Sequence, residues 1–209
     1  KSLKNAFVAA DGTSSSVITS SYFVGNDMAN KYKGATVASL VMDPNDLLDY
    51  NTGILALGAY YDEWRKTAEA KQIIQSKAYW NYEGNYTQSG KDWERQATMD
   101  YIDPSTGNVE FSAPMGVRLH GGASRMYGQK SFKFYMREEY GQKNLKYALI
   151  PGDVDKDGKQ IKKYKGFMLR NGGNDTELTK IRDVFIQSCI TDRAYLLFEG
   201  LLYIHSAKS

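Results

Sequence analysis

Residues 131–137 read SFKFYMR, in which Phe132, Phe134 and Met136 alternate with Ser131, Lys133, Tyr135 and Arg137. A period of two puts the three apolar side chains on one face of a β-strand, and that face has to be buried. Working outward, QATMDYI (96–102), the turn DPSTGN (103–108) and VEFSA (109–113) form a hairpin signature, with Pro104 and Gly107 at turn positions. PMGVRLHGG (114–122) reads as another strand and GFMLRN (166–171) as one more. After NGGND (171–175) the period turns helical: Leu178, Ile181, Val184, Phe185, Ser188 and Cys189 recur at three and four. Asn174 with Glu177 three residues later supplies an N-cap and its capping-box partner. The spacing therefore predicts a sheet over residues 96–170 covered by a helix from about Glu177 to Tyr195. Strands first and a covering helix last make an α+β fold with a mostly antiparallel sheet.

Upstream the signals are sparser. VITSSYFV (17–24) reads as an extended strand with no visible hairpin partner, and TVASLVM (36–42) as a buried strand stopped by a turn at DPND (43–46). One helix is expected at DEWRKTAEAKQII (62–74). Tyrosine and tryptophan cluster from Tyr60 to Trp93, as in YYDEW and YWNY, which suggests a half-exposed aromatic surface.

Composition narrows the function classes. With 42% hydrophobic and 24% charged residues the chain has globular, not disordered, composition. No run of about 18 apolar residues occurs, so no membrane span is expected, and the opening KSLKNAFVAADGTSSS lacks the apolar core of a signal peptide. A net charge of +3 is too small to imply a nucleic-acid partner. Cys189, His120 and His205 are the only cysteine and histidines, which argues against a structural zinc and against a Ser-His or Cys-His nucleophile. No metal ligands are assigned.

Three segments can carry chemistry. HGGASRMYGQK (120–130) is a glycine-rich loop between two strands: its backbone amides, with Ser124, Arg125 and Lys130, offer donors to phosphate oxygens. The same glycines also serve a long hairpin that needs positive φ. In LRNGGNDTELTKIRD (169–183), Asn171 and Asp175 are candidate magnesium ligands and the helix start a candidate anion site. On spacing alone the residues are better explained by Asn174 capping the helix and Arg182 pairing with an acidic neighbour on the surface. DVDKDGK (153–159) alternates aspartates like a calcium loop, but its twelfth position is Tyr164 rather than glutamate, which leaves a tight turn.

GVRLHGGASRMYGQKSFKFYMREEYG (116–141) resembles the CotH family, spore coat protein H and its relatives, which are atypical protein kinases. VASLVMDPNDLLDYNTGIL (37–55), WERQATMDYID (93–103), YKGFMLRNGGND (164–175) and IRDVFIQS (181–188) are similar to that family's flanking segments. GTSSSVITSSYFV (12–24) resembles the closing strand of a chitobiase-like sandwich domain. The resemblance implies three segments: 1–30 from that sandwich, 31–195 the N-terminal part of a CotH-like domain, and 196–209 a divergent tail. It implies a sheet like the N-terminal lobe of a kinase and ATP and Mg²⁺ as ligands of the complete domain. Gly121, Gly122, Ser124, Arg125, Lys130 and Asn171 become ATP-binding residues, Lys130 taking an acidic partner such as Glu177 or Asp183. Arg182 would belong to the helix behind the site. The family's metal-binding and catalytic aspartates lie beyond these segments, so the catalytic residues stay unassigned and the catalytic half is expected to be missing. The implied activity is phosphorylation of Ser or Thr on a coat or surface protein, at a bacterial spore coat or cell surface. The alternative is a non-catalytic surface module whose aromatic segment binds protein or polysaccharide.

Overall fold

In the computed structural model of the chain, residues 2–6, 8–15, 18–22, 30, 36–103, 106–150, 152–175, 178 and 203–206 are described. Five strands form an antiparallel sheet: β3 (Val37–Met42), β4 (Arg95–Ile102), β5 (Val109–His120), β6 (Ser131–Tyr135) and β7 (Gly166–Leu169), in the spatial order β7-β6-β5-β4-β3. β8 (Tyr203–Ser206) adds parallel to the outer side of β3. Two short strands, β1 (Ser2–Asn5) and β2 (Ile18–Ser21), form a separate antiparallel pair. Three helices, α1 (Pro44–Leu48), α2 (Gly58–Trp64) and α3 (Ala68–Gln75), fill the connection from β3 to β4. The fold is α+β with an antiparallel sheet. The expected covering helix over 177–195, with Arg182 and Cys189, lies outside the described residues except at Leu178, which stands in a turn and is exposed, not on a buried helix face.

Register explains why the sheet holds together. Residues opposite one another across a ladder share a face. Leu40 faces Met99, Met99 faces Ala113, Val117 faces Phe134 and Phe134 faces Phe167, so one apolar face runs through all five strands. Leu40, Met99, Met115, Val117, Phe132 and Phe134 are fully buried there, joined from the β3–β4 connection by Leu47, Ile54 and Tyr86. Phe134 stacks on Phe167 at 4.8 Å between centroids and Tyr101 on Phe111 at 5.0 Å.

Four local expectations need correction. The strand at 18–21 does have a partner, residues 2–5, across a loop too long to carry a hairpin turn signature. DPND starts a helix instead of a turn: Asp43 caps α1 by accepting from the Asn45 N–H at 2.8 Å, and Pro44 occupies its first turn. Asp-Pro serves both purposes because each wants a side-chain acceptor followed by a fixed φ. The helix expected over 62–74 is two, because the Thr67 hydroxyl accepts from Ala70 N–H and starts α3 afresh. VEFSA and PMGVRLH are one 12-residue strand, β5. Pro114 is tolerated there because it pairs with Thr98 of β4 before the pairing with β6 begins at Gly116, so the strand has a single neighbour at that point.

Phe134→Ala should cost about 3–5 kcal/mol, since it empties a fully buried ring site. Tyr135→Ala, one residue on and facing the other way, should cost less. Urea denaturation of both variants checks the register, and the reverse order would refute it.

Candidate functional site

The glycine loop closes the β5–β6 connection. Gly121 sits at φ +117°, and a Cβ there would lie 2.4 Å from Ser124 Oγ, so both conformation and space require glycine. A 3-10 turn over Ala123–Met126 follows. Among the described residues the N–H groups of Gly122, Ala123 and Ser124 find no acceptor. Arg125 anchors the loop to the neighbouring segment: its Nη1 donates to Thr87 O at 2.7 Å and Gln88 O at 3.0 Å. Its Nε is buried with no partner.

Lys130 continues the inward alternation of Phe132 and Phe134 and is half-buried. Its Nζ donates to the carbonyl of Arg125 and stands 5.2 Å from the centre of the Tyr86 ring. No carboxylate pairs with either cation among the described residues; the expected partners Glu177 and Asp183 lie outside them. Burial pulls both the Lys130 ammonium and the Arg125 guanidinium below their ordinary pKa values. His120, at the end of β5, is also lowered, first by burial and then by the charges of Lys133, Arg125 and Arg170. The loop is therefore a desolvated, electropositive corner.

Asn171 is brought to the same corner and is buried. Its Nδ2 donates to Gln129 O at 2.8 Å, its Oδ1 accepts from Ser131 Oγ at 3.0 Å and from Gly173 N–H at 2.9 Å. These bonds tie the end of β7 to the loop, a positioning role. Asp155 uses its carboxylate on its own turn, accepting from the N–H groups of Asp157 and Lys159.

On another side the loop opens on a groove of about 480 Å³. Gly121, Gly122 and Arg125 line it together with Glu69 of α3 and with Trp80, Tyr82 and Glu83. Lys130, Ser124 and Asn171 do not. The aromatic segment divides here. Trp64 and Tyr86 are core residues, whereas Tyr79 and Trp80 are 56% and 51% exposed and meet edge to face at 5.2 Å.

A second polar cluster went unnoticed in the sequence. On the face of the sheet opposite the core, the buried Glu94 carboxylate accepts from Arg118 Nε at 2.8 Å, Arg137 Nε at 2.6 Å and Nη2 at 3.0 Å, and the Tyr140 hydroxyl at 3.0 Å. A Cβ on Gly116 would fall 2.4 Å from Glu94 Oε1, so that glycine makes the room. The Arg118 guanidinium lies over the Tyr135 ring at 4.2 Å. The signal was there to read: Gly116 and Arg118 two apart on one strand, Lys133, Tyr135 and Arg137 two apart on the next, a cationic face that calls for a carboxylate.

Comparison of the chain with known protein families, with curated proteins and with solved structures finds no match. Among the described residues no helix is long and apolar enough to cross a membrane.

Burial raises the Glu94 pKa, but the hydrogen bonds from Arg137, Arg118 and Tyr140 and the Arg137 charge outweigh it and hold the carboxyl below its ordinary value of 4.5. A depressed carboxylate contributes its stability in full above the unfolded value and loses it as pH falls through the folded one. Stability should thus decline as pH drops below about 4.5, and Glu94→Gln should flatten that decline. At neutral pH the same variant should cost about 3 kcal/mol, the low end for breaking a buried pair, since both arginines reach water. Denaturant titrations at pH 3 to 7 measure both effects.

Proposed function

We propose that this chain carries the nucleotide-binding part of a CotH-type protein kinase, acting on Ser or Thr of a coat or surface protein at a bacterial spore coat or cell surface. The observation that carries the reading is the pair of desolvated cations, Arg125 and Lys130, beside a glycine loop with free amides and, among the described residues, without a paired carboxylate. An unpaired, partly buried charge is costly, and a nucleotide phosphate offsets that cost. The loop amides donate to its oxygens, Lys130 supplies a point charge from the start of β6, and Arg125 adds a second. A glycine loop between adjacent antiparallel strands, with a lysine opening the second, supports the likeness to a kinase N-terminal lobe.

Phosphoryl transfer also needs Mg²⁺ held by carboxylates. Among the described residues no group of three carboxylate, histidine or cysteine side chains stands close enough to hold one. These residues do not fit the ion.

A second reading, a surface module binding polysaccharide or protein, is favoured by one observation: Tyr79 and Trp80 present adjacent, half-exposed rings. Such rings suit sugar faces and protein contacts.

Titration with a fluorescent ATP analogue at low salt should show saturable binding, weakened about tenfold, the loss of one charge-assisted contact, in Lys130→Met. The melting temperature of that variant should be unchanged or higher, because an apolar side chain replaces a partly buried cation. No saturable binding by the unaltered chain removes the reading, and so does a Lys130→Met variant that binds normally.

A further inference from the structure

The groove beside the glycine loop has a chemistry that the nucleotide reading does not use. Glu69 and Glu83 both line it, both are exposed, and neither has an ion-pair partner among the described residues. Two free carboxylates repel a phosphate. They are strong acceptors for hydroxyl groups. Trp80 contributes a half-exposed indole steadied by Tyr79, Asn81 contributes an amide, and Gly121 and Gly122 contribute a stretch of backbone without side chains. The space beside the Gly122 Cα is open, with nothing within 4 Å of where a Cβ would stand.

We infer that this groove binds the pyranose units of a neutral β-linked glycan. A pyranose with equatorial hydroxyls has a flat C–H face that stacks on an aromatic ring and a rim of hydroxyls that donates to carboxylates and accepts from amides. The groove offers both requirements side by side, and its volume of about 480 Å³ lies in the range of small-ligand sites. A neutral ligand leaves the two glutamates charged and hydrated at one edge, so no ion has to be buried unpaired. Gly121, Gly122 and Arg125 line the groove whereas Lys130 and Asn171 lie outside it, so a sugar and a nucleotide would share only part of the loop. This inference rests on the surface-module reading and names its site and ligand.

Intrinsic tryptophan fluorescence, titrated with cellohexaose and separately with N-acetylchitohexaose, tests it. The expected result is a saturable change with at least one of them. It should weaken about tenfold in Trp80→Ala, the size of one lost aromatic contact, and severalfold in Glu83→Gln, an exposed substitution that should leave the melting temperature unchanged. Should Trp80→Ala fail to fold, Glu83→Gln and Trp80→Phe decide alone. Saturable binding that neither substitution weakens overturns the groove while leaving a surface module that uses other aromatics. No saturable change with either sugar overturns the groove and leaves the surface-module reading only in its protein-binding form.

Discussion

Phe132 and Phe134, two residues apart on β6, have no exposed surface, and the rest of the structure is arranged around keeping them so. Because a strand sends alternate side chains to opposite faces, burying this pair fixes which face of β6 is inner. The ladders then fix the inner face of β5 and β7 and, through β5, of β4 and β3. A one-residue slip anywhere would turn an apolar set to the outside. Removing each ring from water is worth a few kcal/mol, so that slip carries a large cost and the register has one solution.

Once one face is committed to the core, the other must take the polar residues, and there the Glu94 cluster does for the outer face what the phenylalanines do for the inner. Glu94 precedes β4, Arg118 lies on β5, Arg137 follows β6, and Tyr140 belongs to the turn beyond. One carboxylate thus holds consecutive segments of the meander together. Its own burial is tolerable only because every approach to it is a donor. Gly116 is the geometric condition for this arrangement, since any side chain at that point would collide with the carboxylate.

What the sequence revealed follows the range of the interaction that encodes it. The alternation in 131–137, the β4–β5 hairpin pairing and the buried strand at 37–42 are written in neighbouring residues, and the structure has all three. The break between α2 and α3 is also local, yet Thr67 is as plausible inside a helix as at its cap, so one continuous helix was equally readable. The cationic face of β5 and β6 is legible, but that Glu94 is the carboxylate answering it is not, for a different reason. Its arginines stand 24 and 43 residues away, and only the folded meander makes them neighbours. The candidate site divides the same way. Gly121 to Lys130 formed a visible block, whereas the groove joins that block to Glu69, Trp80 and Glu83 across a connection with no readable period.

The glycine loop is where these two constraints meet. β5 and β6 are held rigidly on the inner face by the phenylalanines and on the outer by the Glu94 cluster, so the loop between them starts and ends at fixed points. Arg125 fastens its middle to the Thr87 and Gln88 carbonyls, and Lys130 fastens its end to the Arg125 carbonyl. What is left without a partner among the described residues includes the N–H groups of Gly122, Ala123 and Ser124 and the buried Arg125 Nε. A loop held this firmly has surrendered most of its conformational entropy during folding, so little more would be lost were an anion to bind. Carbonyl oxygens are weaker partners for a cation than an anion is. The same bonds that hold Lys130 and Arg125 in place therefore leave their charges only partly compensated. That combination of fixed geometry and unfinished electrostatics distinguishes this corner from the Glu94 cluster, where every charge is already answered.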